Sequence, residues 1–86
     1  MRAAVAQFAS AMEKVLQEND HKGGWGMENI LTLFEKLGRE YLELQTAMLA
    51  AEEPEEIMDE CVDLANFAMM MYDKLQPMQV EKETLG

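Results

Sequence analysis

Two pairs of acidic residues, Glu40 with Glu43 and Glu60 with Asp63, each stand three positions apart in this 86-residue chain. On a helix that step leaves two side chains about 60° apart around the axis and one turn apart along it, so each pair shares a flank. If the two carrying helices pack antiparallel, all four carboxylates converge at one level. Four unpaired negative charges repel one another, so the side chains either splay into water or are held by hard divalent cations. All-oxygen ligands suit Mg2+, or Mn2+. Spacing alone is weakly specific, since 17 acids in a chain of this length give roughly three such pairs by chance, and Glu53 with Glu56 is another. Glu40, Glu43 and Glu60 can equally be solvated helix surface. Asp63 and Asn66 resist that account, because both interrupt an apolar run from Cys61 to Met71, and a buried carboxylate needs a cation or several donors.

These residues must be placed by helices. Over residues 3–18, Val5, Phe8, Met12, Val15 and Leu16 recur at three- and four-residue intervals on one face, which predicts an amphipathic helix. Asn19 and Asp20 end it, and a loop follows with Gly23, Gly24 and Gly26 around Trp25. A second helix is expected from Glu28 or Asn29 to about Ala51, with Ile30, Leu33, Phe34, Leu37, Tyr41, Leu44 and Met48 as its apolar stripe. Pro54 suits a first helical position, and Glu55 and Glu56 complement the positive end of a third helix. That helix should stop at about Gln76, before Pro77, leaving 78–86 as a polar tail. Residues 1–77 thus form a single all-α domain.

The third helix carries two apolar stripes. Ile57, Leu64, Phe67, Met71 and Leu75 form one, and Met58, Val62, Ala65, Met69 and Tyr72 form another roughly opposite. Two helices of so short a chain would struggle to cover both, so the second stripe is expected to pack on another subunit. The expected architecture is a three-helix protomer that completes a helical bundle by oligomerisation, as a homodimer or homotetramer.

The balance of 17 acidic against seven basic residues gives a formal charge of −10, which opposes binding to nucleic acid or to an anionic membrane. The longest apolar stretch, Cys61 to Tyr72, is broken by Asp63 and Asn66 and falls short of the roughly 20 residues that span a bilayer. One cysteine, Cys61, cannot form an intrachain disulfide, which suits a reducing cytoplasm. No export signal is visible near the N-terminus.

Glu40-x-x-Glu43, sixteen intervening residues and Glu60-x-x-Asp63 together resemble the paired metal motif of the all-alpha nucleoside triphosphate pyrophosphohydrolases, the superfamily of MazG and the dimeric dUTPases. The flanks, His21-Lys22-Gly23-Gly24-Trp25 and Asp63-Leu64-Ala65-Asn66-Phe67-Ala68-Met69-Met70, look like those of short MazG-like proteins. The resemblance covers roughly Phe8 to Asp73. One departure is Arg39, where relatives often carry another Glu; another is the short tail after Pro77.

What the resemblance implies is a Mg2+-dependent hydrolase that cleaves a nucleoside triphosphate between its alpha and beta phosphates, releasing a monophosphate and pyrophosphate. Glu40, Glu43, Glu60 and Asp63 would be the metal ligands, and Glu40 or Glu43 would orient the attacking water. Lys36, one turn before Glu40, can meet a phosphate or be an ordinary surface lysine. Asn66 can bond phosphate or sugar, or be a polar residue at a helix interface. Trp25 can stack on a base, and His21 or Lys22 can contact base or phosphate, or the three can be a loop anchor and its solvated neighbours. The alternative from another class is a non-catalytic acidic helical module that binds a protein partner, and a third is a DNA mimic.

Overall fold

The computed structural model describes residues 1–77, so the tail expected over 78–86 lies outside the described residues. Among the described residues the regular structure is all helical: α1 is Ala3–Glu18, a single 3-10 turn covers Asp20–Lys22, α2 is Ile30–Leu49 and α3 is Pro54–Leu75. The three helices stand where the sequence places them, to within two residues. None is long and apolar enough to cross a membrane.

Each boundary has a local cause. Asn19 closes α1 with its backbone amide on the Val15 and Leu16 carbonyls, and its side chain donates to the Val15 carbonyl at 2.9 Å. Gly23 then takes φ 86, a conformation that a Cβ would penalise. Asn29 caps α2, its side-chain oxygen accepting the Leu31 amide at 2.7 Å, a contact that contributes about 1 kcal/mol. At the other end of α2 the Glu52 amide bonds the Ala47 carbonyl and the Ala51 amide bonds the Met48 carbonyl. That pairing closes the helix with a residue in the left-handed region, here Ala51 at φ 53. Three residues later Pro54 opens α3, with Glu55 and Glu56 in its first turn.

The short connection folds α3 back along α2, and α1 packs chiefly on α3. The core is small. Leu33, Ala47 and Val62 are its buried apolar residues, and Asn66, only 3% exposed, is buried with them. The Asn66 side-chain Nδ2 donates to the Met12 carbonyl at 3.3 Å, tying α3 to α1.

This placement corrects the assignment of faces on α3. The inward line runs through Val62 and Asn66, so Val62, expected on the intersubunit stripe, belongs to the chain's own core. The inward face centres on a polar residue, which an apolar count passes over. Met58 and Tyr72 of that stripe do remain exposed, at 63% and 71%, and so does Leu75 of the other. On α2, Phe34, Tyr41 and Met48, each a heptad from the next, are exposed as well. The chain has a radius of gyration of 15.1 Å, against about 12 Å for a compact domain of this length.

Candidate metal centre and adjoining cavities

The antiparallel hairpin of α2 and α3 brings the two acidic motifs together. Glu40, Glu60 and Asp63, all half-buried, each offer a carboxylate oxygen, and the three oxygens lie within 4.8 Å of one another. Oε2 of Glu40 and Oε2 of Glu60 are buried without any hydrogen-bond partner. An orphaned, buried carboxylate oxygen is costly, and two residues that carry one, clustered with a third carboxylate, fit the donor set of a hard divalent cation. Glu43 is exposed and stands outside this triad, although its carboxyl lies close enough to bond with Glu40 and with Glu60.

The electrostatics carry the mark of this crowding. Burial, then the hydrogen bond and charge of Glu43 and the charges of Asp63 and Glu60, raise the Glu40 carboxyl to a pKa of about 7. Glu60 is raised by burial and by the charges of Glu43 and Asp63. Asp63 is raised by burial and by the charges of Asp59 and Glu43. No ion pair among the described residues involves them: the one that there is joins Lys36 Nζ to Glu28 Oε1 at 2.7 Å.

Because α1 approaches α3 more closely than α2, a space opens between α1 and α2, with α3 beneath it and the glycine-rich connection closing one side. This cavity of about 600 Å³ is lined by Glu40 and Asp63, by Asn66, Phe67 and Met70 of α3, and by Leu16 and Asn19 of α1. Lys22, Lys36 and Arg39 bring positive charge to it, three of the chain's seven basic residues. On the other side of the acids a second cavity of about 300 Å³ is bordered by Glu43, Glu60 and Glu52, with Arg39 bordering both. The carboxylates therefore form the partition between two cavities.

Of the remaining residues singled out in the sequence, Trp25 lines the larger cavity half-buried, and its indole Nε1 donates to Asp73 Oδ2 at 3.0 Å. Lys22 lines it beside Gly23 and Gly24. His21 is exposed and is not among the lining residues. Lys36 lines the cavity but is held by Glu28, whose second oxygen, Oε2, is buried without a partner. Asn66 is on the wall, with one amide hydrogen given to α1 and its Oδ1 buried and unpartnered.

Sequence reasoning gives none of Arg39, Glu28 and Asp73 a place at the site: Arg39 enters it only as a departure from the motif and Glu28 only as a possible helix start. The signal available for Arg39 was scarcity, since seven basic residues in a chain this acidic make each one informative. Glu28 and Asp73 gave no local signal, because their partners are eight and 48 positions away. No family of known proteins, no curated protein and no solved structure matches this chain.

Proposed function

We propose that this chain is a Mg2+-dependent nucleoside triphosphate pyrophosphohydrolase. The observation that carries this is the meeting of Glu40, Glu60 and Asp63, with two buried orphan oxygens, at the wall of a cavity that also gathers three cations and an indole. The motif resemblance supports it. A single-sign acidic patch would serve a cation alone; acids beside Lys22, Lys36 and Arg39 serve a cation together with the polyanion it neutralises.

Glu40, Glu60 and Asp63 would hold the divalent cation, Mg2+ or Mn2+, with Glu43 at the rim. A bound Mg2+ supplies charge neutralisation at the triphosphate and acidifies a coordinated water. The chain's own part is positional. Glu40 or Glu43 takes a proton from the attacking water as its oxygen bonds the alpha phosphorus, and the bond from that phosphorus to the bridging oxygen breaks, releasing pyrophosphate. Lys36, Lys22 and Arg39 are placed to meet the phosphates. Trp25 offers a flat apolar face to the base. A screen of nucleoside triphosphates for pyrophosphate release, with Mg2+ and with a chelator, tests the proposal: Mg2+-dependent release for at least one base is expected, and none for any would overturn it.

We also infer a homo-oligomer, dimer or tetramer, from the exposed apolar residues of α2 and α3 and the small core. Scattering should give a mass at least twice that of the chain at micromolar concentration. Tyr72→Glu should reduce it to the chain mass, because the side chain is exposed in the protomer and its charge would be buried unpaired only at an interface. A wild-type protein that is stable and well folded at the chain mass would refute the assembly.

A further inference from the structure

The connection over residues 23–29 is rich in glycine, yet it is fastened at three points. Lys74 Nζ donates to the Gly26 carbonyl at 2.7 Å, Asp73 accepts the Trp25 indole N–H at 3.0 Å, and Lys36 pairs with Glu28. Two of the three ties come from adjacent residues in the last turn of α3, reached across 48 positions of sequence. Both are exposed to solvent, where a charged hydrogen bond adds little to stability. What they do fix is geometry. The indole has one hydrogen-bonding atom, and once Nε1 is committed to Asp73 the ring can no longer turn freely about its side-chain torsions.

We propose that Asp73 is a positioning residue for nucleotide selection: by accepting the Trp25 N–H, with Lys74 holding the neighbouring carbonyl, it sets the indole as the base-contacting wall of the larger cavity. This rests on the nucleotide-hydrolysing function proposed above. The clasp meets α3 ten residues beyond Asp63, about 15 Å along the axis at 1.5 Å per residue. Phosphate chemistry and base recognition are thereby assigned to the middle and the C-terminal end of one helix. A group that acts on the base end alone should change KM and base preference while leaving the metal requirement and kcat nearly untouched.

Trp25 is the chain's one tryptophan, so its fluorescence reports this wall directly. The experiment titrates wild type, Asp73→Ala, Asp73→Asn and Lys74→Ala with a non-hydrolysable nucleoside triphosphate plus Mg2+, and separately with inorganic pyrophosphate plus Mg2+. Steady-state kinetics and melting are followed on the same proteins. In wild type the nucleotide analogue should quench the indole more than pyrophosphate does. Asp73→Ala should raise the nucleotide midpoint and KM about tenfold, narrow the difference between bases, and leave the pyrophosphate midpoint and kcat within about twofold. Asp73→Asn, which keeps an acceptor oxygen, should restore both, and Lys74→Ala should shift them in the same direction as Asp73→Ala. If Asp73→Ala and Lys74→Ala lower the melting temperature but leave midpoints and base preference at wild-type values, the clasp is structural only and the proposal is overturned while the hydrolase assignment stands. If wild type neither turns over any nucleoside triphosphate nor changes its fluorescence with one, the hydrolase assignment fails and takes this proposal with it.

Discussion

Glu60→Gln should lower kcat/KM for pyrophosphate release by about a hundredfold or more, with helix content unchanged. The substitution keeps the shape of the side chain and removes the charge of one of three carboxylates whose oxygens meet within 4.8 Å. A divalent cation held by two carboxylates in place of three loses both affinity and the geometry on which several kcal/mol of transition-state charge stabilisation depend. Glu43→Gln should cost less, about tenfold, because Glu43 is exposed and stands at the rim. Neither variant should unfold the metal-free chain. Each relieves repulsion at Glu40, whose carboxyl is raised by burial and then by the neighbouring acids. Full activity in Glu60→Gln would remove the triad from the reaction.

The second large effect is on stability, and metal and pH act on it together. Glu40 has a folded-state pKa of about 7 against 4.5 for the unreacted group, and Glu60 and Asp63 are raised in the same direction. Between those values the folded chain binds more protons than the unfolded one, so metal-free stability falls as pH rises from about 4.5 through 7 and stays low above it. Melting temperature without metal should therefore be higher at pH 5 than at pH 8. Mg2+ binds the ionised form and should reverse the trend. At a hundred times its Kd it adds about 2.7 kcal/mol, or about 10 to 20 °C for a domain of this size, at pH 8, and far less at pH 5 where protons compete for the ligands. Melting curves that coincide with and without Mg2+ at pH 8 would mean a solvated acidic surface, as an interaction module would have.

Much of the fold was legible because helix signals are local. Pro54, Asn29 and the apolar spacing of α2 each act within a turn of where they stand, and the helices begin and end accordingly. The acidic cluster was legible for a different reason. A short connection forces neighbouring helices antiparallel, so spacing along the chain translates into proximity. What could not be read is what depends on rotation and on distant partners. The inward face of α3 turns on Asn66, whose burial rests on a carbonyl of α1 54 positions away. The separation of Glu43 from the triad, and the bond from Trp25 to Asp73, likewise arise from packing angles that no periodicity encodes. His21 shared a motif with Lys22, yet one residue of rotation leaves it off the cavity wall.

The turn between α2 and α3, with its left-handed Ala51, has a role beyond joining two helices. Counted outward from it, Glu43 is reached at the same step as Glu60, and Glu40 at the same step as Asp63. The turn works as a zero mark from which both arms are measured. One residue inserted within α3 between Pro54 and Glu60 would move both of its acids by about 1.5 Å along the axis and about 100° around it, sending Glu60 and Asp63 to another flank with every acid still present. The number of helical residues between the turn and each acid is thus inherited with the carboxylates or not at all. Among descendants of this sequence, insertions should be absent from 44–49 and 55–59 even where residue identities there drift freely.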